Sequence, residues 1–173
     1  MIASVVAADL NNGIGRDGGM LISIPEDLKM FRELTSGHVV IMGRKTFDAL
    51  PCGPLPDRIN VVISSKAQGK YRLEKSENGR EYYICGLDAV KTWLAEKAAE
   101  AHRHLFVIGG GVIYGELMPF CEKVYLTRIH ASFERADTWF PDMDAMPGWK
   151  MTVRGKMKQH QNIEFQFCEY ERA

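Results

Sequence analysis

"HLFVIGGGVIYGELM", residues 104–118, runs from a Val/Ile-rich strand through three consecutive glycines into a helix. A parallel strand must leave its sheet edge through a crossover, usually a helix, so this passage is a unit of an α/β fold. Comparable apolar runs stand at 2–8 (IASVVAA), 38–43 (HVVIMG), 59–64 (INVVIS), 81–85 (EYYIC) and 123–131 (KVYLTRIHA). Several are apolar at successive positions, the pattern of strands buried on both faces. Helical stretches at 25–35, 44–50, 88–102 and 112–120 alternate with them. The alternation predicts a central, mainly parallel sheet flanked by helices. The C-terminal "KMTVRGKMK" and "IEFQFCEYER", joined by the polar "QHQN", read instead as an antiparallel hairpin on the sheet edge. The glycine-rich 11–19, "NNGIGRDGG", reads as a mobile loop, and nothing along 1–173 resembles a linker or repeat, so one domain is expected.

Length and composition narrow the function. A chain of 173 residues, 46% of them hydrophobic, can bury a substantial core unaided. Lys plus Arg (22) balance Asp plus Glu (22) and form no long basic run, which argues against nucleic acid or a membrane surface as partner. A small-molecule protein, monomeric for want of a further apolar face, is the expectation. Cys52, Cys85, Cys121 and Cys168 are far apart, without a C-x-x-C pair or a nearby His at ligand spacing, so reduced thiols in a cytoplasmic protein are expected, and no metal. The apolar N-terminus has no basic start, is too short to span a bilayer and runs into Asp9, so it reads as a strand rather than a leader.

"LISIPEDLKMF", residues 21–31, sets two acids side by side at a helix start. At roughly 100° per residue, Leu28, Phe31 and Leu34 form one stripe with Ile24, and Asp27 falls inside it. Glu26 falls on the opposite face and fits an S-x-x-E capping box with Ser23, Pro25 taking the first turn. An acid that only balanced the helix dipole would do so equally well from the wet side, so Asp27 reads as a ligand anchor or proton handler. Three segments could receive phosphate. In "VIGGGVIYG" the dinucleotide fingerprint G-x-G-x-x-G fails, because Tyr114 stands at its last position counted from Gly109 and Gly111. In "IMGRKTFDAL" Gly43 ends a strand and Arg44, Lys45 and Thr46 open a helix. "VVISSK" places Ser64, Ser65 and Lys66 at a strand's C-terminal edge, where open α/β sheets bind ligands.

Taken in order, "GIG" (13–15), "IPEDLKMFRELT" (24–35), "VVIMGRKTFDAL" (39–50), "LPDR" (55–58), "VVISS" (61–65), "VIGGGVIYGELMP" (107–119) and "VYLTRI" (124–129) resemble dihydrofolate reductase over nearly the whole chain. The resemblance implies an eight-stranded sheet, NADPH bound along the strand edges, and reduction of 7,8-dihydrofolate to tetrahydrofolate. It implies that Asp27 is the one acid of the pterin pocket, accepting hydrogen bonds from the ring N–H and exocyclic amine, with Thr127 supporting it. Val5, Val6, Leu28, Phe31, Leu50, Leu55 and Ile108 would wall that pocket, Tyr114 would adjoin it, and Arg58 would pair with the substrate's α-carboxylate. The same pocket would admit antifolate inhibitors. Arg44, Thr46, Ser64 and Ser65 match cofactor-phosphate contacts, with Ala7, Ile14, Gly43, Lys45, Lys66, Gly109, Gly110, Gly111, Val112 and Ile113 along the same ligand. The family's Gly109–Gly110 peptide is cis, and the loop around Met20 is its closing lid.

Two departures stand out. Leu21 and Ile22 occupy the place of the family's Pro-Trp, so Ile22 has no N–H to offer a water near Asp27. "PCGPLPDR" carries an extra residue, and no second arginine stands near the glutamate tail. Two rivals share the fold's ligands: the NADPH-dependent reductase of riboflavin synthesis, which acts on an open-chain ribosyl pyrimidine, and a nucleotide-binding module without chemistry. The first is not expected to carry the P-x-D-L-x-x-F helix with its inward acid.

Overall fold

Along β4 (Val39–Gly43) the side chains alternate between two hydrophobic clusters, Val39 and Ile41 packing on one face of the sheet and Val40 and Met42 on the other. This is why the strand has no polar face: helices cover both sides. The computed structural model describes residues 1–69, 71–97 and 102–173. Before β4 come β1 (Ile2–Ala8), β2 (Gly13–Arg16), β3 (Gly19–Met20) and α1 (Pro25–Thr35). After it come α2 (Arg44–Asp48), β5 (Ile59–Ile63), β6 (Arg72–Lys75), β7 (Glu81–Cys85), α3 (Leu87–Lys97), β8 (Leu105–Gly109) and α4 (Gly111–Leu117). The chain closes with β9 (Lys123–Ile129), β10 (Thr138–Trp139), β11 (Trp149–Arg154), β12 (Lys158–His160) and β13 (Ile163–Arg172).

The main sheet runs β11-β13-β9-β1-β8-β4-β5-β7-β6, with β12 also paired to β13. Its centre, from β9 to β7, is parallel throughout, and β13 and β6 join antiparallel at the two ends. Ten strands replace the expected eight for two local reasons. The first strand of the C-terminal hairpin is broken into β11 and β12 around Gly155, where a Cβ would come within 2.7 Å of the Phe167 carbonyl oxygen. The polar "RLEK" at 72–75 adds β6 as an edge strand, which no apolar pattern announces. Because β1 lies between β9 and β8, the connections reverse direction beside it, and a crevice opens at the strands' C-terminal ends.

Three local expectations are corrected. Segment 11–19 is no irregular loop: β2 and β3 form a hairpin, with Asp17 (φ 50°) and Gly18 (φ 80°) at its turn, and β10 adds a third strand to this small sheet. The capping box does not form. Ile24 is the N-cap, without a side-chain cap, and Glu26 reaches instead to Lys158 Nζ at 2.8 Å. Helix 112–120 ends at Leu117, with a 3-10 turn over Met118–Phe120 at Pro119, and α2 stops at Asp48. Of the predicted helix 88–102, residues 98–101 lie outside the described residues.

Candidate active site

The C-terminal ends of β1, β4, β5 and β8 open into one cleft of about 1890 Å³. A single small-molecule pocket is typically ~300–1,000 Å³, so this one has room for two ligands side by side. Although the chain is neutral overall, the cleft lining carries seven Lys or Arg against four Asp, which suits anionic ligands.

Asp27 sits in the first turn of α1, facing this cleft. Thr127, fully buried on β9 beside Ala7 of β1, donates its hydroxyl to Asp27 Oδ1 at 2.5 Å. Burial raises the Asp27 pKa above its usual value, and the Thr127 hydrogen bond works against that rise. Of the four cleft aspartates, Asp17, Asp48 and Asp137 are exposed, and Asp27 alone is half-buried. The stripe expected to pack into the core lines the cleft instead: Leu28 is 42% exposed, and Phe31 and Leu34 only lean on the smaller cluster under β4. The carboxylate therefore faces a ligand cavity, which removes the apparent conflict of a charge among apolar neighbours.

Val5, Val6, Leu50, Leu55 and Ile108 complete the apolar wall of this half. Tyr114 is 4% exposed, and its hydroxyl donates to the Val5 carbonyl oxygen at 2.6 Å, so it braces the wall from behind. At the outer end Arg58 donates through Nε to the Pro56 carbonyl at 2.8 Å and through Nη1 to Thr35 Oγ1 at 3.0 Å, its guanidinium 5.9 Å from the Phe31 ring. Thr35 in turn donates to the Phe31 carbonyl, which ties Arg58 to α1. Arg32, one turn beyond Leu28, also lines this end. Burial first, and then the Arg32 charge, hold the Arg58 guanidinium below its usual pKa. A second arginine is thus present, contrary to the sequence expectation, because the helix rather than "LPDR" supplies it.

The other half of the cleft is built of glycine backbone and donors. The Gly109–Gly110 peptide is cis, and Gly109 has φ 124°, a conformation that strains any side chain. A Cβ on Gly43 would come within 3.0 Å of Ile113 Cγ1, and one on Gly110 within 3.3 Å of Thr46 Oγ1. Bare backbone here lets a flat or phosphorylated group approach, flanked by Ala7, Ile14, Gly111, Val112 and Ile113. Arg44 pairs with Asp48 at 2.9 Å through Nε and lies 5.6 Å from the Phe47 ring, with Lys45 beside it. Ser64 is buried and its Oγ accepts from the Lys66 N–H at 3.3 Å, whereas Ser65 and Lys66 are exposed. This donor set, with Asp48 as the acid paired to Arg44, fits the phosphates of a dinucleotide.

Between the halves lies the β2–β3 hairpin, with Met20 60% exposed over the cleft. Its turn is held from outside: Asp17 N–H donates to Asp137 Oδ2 at 2.9 Å, and Asp137 N–H donates to the Gly15 carbonyl at 3.0 Å. Ile22, just after the hairpin, packs with Ile24, Ile129 and Phe165.

The family model described as dihydrofolate reductase matches residues 1–172. The chain belongs to the dihydrofolate reductase family. It is 33% identical to a dihydrofolate reductase of Bacillus subtilis (strain 168), over 99% of this chain and 95% of that one. It is 34% identical to dihydrofolate reductase 1 of Haloarcula marismortui, over 98% of this chain and 90% of the relative. A bifunctional dihydrofolate reductase-thymidylate synthase of Glycine max matches at 34% over 98% of this chain, which covers 33% of that larger protein. As a member of this family the chain is an oxidoreductase that uses a nicotinamide cofactor and binds a small-molecule substrate. No helix among the described residues is long and apolar enough to cross a membrane.

Every candidate catalytic, substrate-binding or cofactor-binding residue named from the sequence lines the cleft except Thr127, which stands behind Asp27. Sequence reasoning missed Arg32, Arg72, Asp137 and Thr138, which also line it. Arg32 was within reach, since it follows Leu28 by four residues on the same helical face. Asp137 and Thr138 approach through chain folding alone.

Proposed function

We propose that the chain reduces 7,8-dihydrofolate to 5,6,7,8-tetrahydrofolate with NADPH, adding hydride to C6 and a proton to N5. The observation that carries this is Asp27, half-buried, braced by Thr127 and set in a cleft with room for two ligands. Bound NADPH supplies the hydride, held by Arg44, Thr46, Ser65 and Lys66 at its phosphates and by the glycine backbone at 109–111. Asp27 accepts the pterin ring N–H and exocyclic amine through its two oxygens, a charge-assisted pairing that fixes the ring plane. Thr127 fixes the carboxylate rotamer. The apolar walls and Tyr114 exclude bulk water, so the pterin is seated flat against Val5 and Phe31. The proton for N5 enters from solvent beneath Met20, and Asp27 stabilises the protonated pterin as it forms. Arg58 and Arg32 hold the glutamate tail's carboxylates. The same pocket takes antifolates that present a comparable pair of donors to Asp27. The reading takes the protein as a cytosolic monomer, where four free thiols, Cys52 among them exposed, are tolerated.

The purified chain should oxidise NADPH when dihydrofolate is added and not when it is withheld. Absence of turnover despite tight NADPH binding would favour a nucleotide-binding module. Turnover only with an open-chain ribosyl pyrimidine would favour the riboflavin-pathway reaction.

A further inference from the structure

The cleft does not end at Lys66. A second pocket of about 480 Å³ adjoins it, sharing Lys66, Ala67, Arg72 and Ile84 with the cleft and completed by Gln68 and Gly69. Among the described residues its lining holds two cations and an amide and no carboxylate, the chemistry of an anion subsite. The cross-strand register explains how Arg72 reaches it. Arg72 of β6 lies directly opposite Ile84 of β7, and directly opposed residues project from the same face of the sheet. Ile84 is buried at the cleft, so Arg72 projects there too, and Lys75 lies on the other face. Glu74, two residues along the same face, pairs with the Arg72 Nε and leaves the terminal N–H fork of the guanidinium for another partner.

We infer that Arg72, carried on the added edge strand β6, is a specificity-determining residue that recognises, with Lys66, the phosphate on the adenosine ribose of the cofactor. The inference rests on the reading of NADPH as cofactor. A planar guanidinium matches a phosphate dianion through two parallel hydrogen bonds, and a ribose hydroxyl offers no such partner. Discrimination between NADPH and NADH is therefore set partly by a strand that lies outside the parallel core.

The test compares wild type, Arg72→Gln, Arg72→Lys and Lys75→Gln in steady-state reduction of dihydrofolate with NADPH and with NADH. Arg72→Gln should raise KM for NADPH ~10-fold, as expected for loss of a charge-assisted pair, with kcat and KM for NADH within about twofold. Arg72→Lys should recover part of the loss, and Lys75→Gln, removing the same charge from the opposite face, should change neither constant. Equal effects on both cofactors, or no effect of Arg72→Gln, would overturn the inference. Calorimetric titration with adenosine 2′-monophosphate separates this from the functional reading, because Arg72→Gln should weaken that binding even if no reduction of dihydrofolate is seen. Undiminished binding of adenosine 2′-monophosphate by Arg72→Gln would overturn it as well.

Discussion

At the scale of the residue, Asp27 trades stability for function. Burial raises its pKa, so the folded protein holds that proton more tightly than the unfolded chain does. The sign follows: stability falls as pH rises from the unfolded pKa near 3.8 through the raised folded value, and the cost is fully present at neutral pH. Asp27→Asn keeps the shape and the Thr127 hydrogen bond and removes the buried charge. The ligand-free variant should melt at a higher temperature than wild type at pH 7, each kcal/mol appearing as about 2–4 °C for a chain of this size. The difference should vanish near pH 3. Differential scanning calorimetry at both values checks it, and a variant that melts lower at pH 7 would show that the charge stabilises the empty fold. Asp27 was legible in the sequence because helical periodicity places it among Leu28 and Phe31. What periodicity could not distinguish was a stripe facing a core from a stripe facing a cavity, since both are apolar. Ser23 and Glu26 misled for a related reason: the capping motif was present, but the backbone capped at Ile24, and Lys158, distant in sequence, claimed Glu26.

At the scale of the element, the β2–β3 hairpin links cleft and surface. Its turn rests on Asp137, whose carboxylate accepts the Asp17 N–H and then the Thr138 hydroxyl, contacts that hold its pKa below the usual range. Asp137→Ala removes these two side-chain bonds at the cleft rim and keeps the Asp137 N–H on the Gly15 carbonyl. Because these bonds hold the turn that carries Met20 over the cleft, their loss should slow single-turnover hydride transfer about 2–10-fold. The melting temperature of the ligand-free variant should fall by no more than a few degrees, since the bonds lost are few and exposed. An unchanged rate would show that the turn is positioned by its own strands. These elements escaped sequence reading because β2, β3 and β10 are two to four residues long and carry no period, and β10 pairs with β2 from more than a hundred residues away. The strands at the centre of the parallel core, such as β1 and β4, announce themselves because both faces are apolar. β6 hides because an exposed edge strand is chosen for polarity.

At the scale of the molecule, a parallel sheet whose connections reverse beside β1 places the acid on α1, the apolar ends of β1 and β8, and the donors of β4 and β5 around one crevice. The chemistry depends on the acid more than on any other member of that set. The most direct measurement is single-turnover hydride transfer from NADPH to dihydrofolate, followed from pH 5 to 9 in wild type and Asp27→Asn. At neutral pH the variant should be slower by two or more powers of ten, each tenfold being ~1.4 kcal/mol, and the deficit should shrink as pH falls and the solution itself protonates the pterin. A variant that transfers hydride within about twofold of wild type at pH 7 would contradict the assignment of Asp27 as the group that holds the reactive pterin.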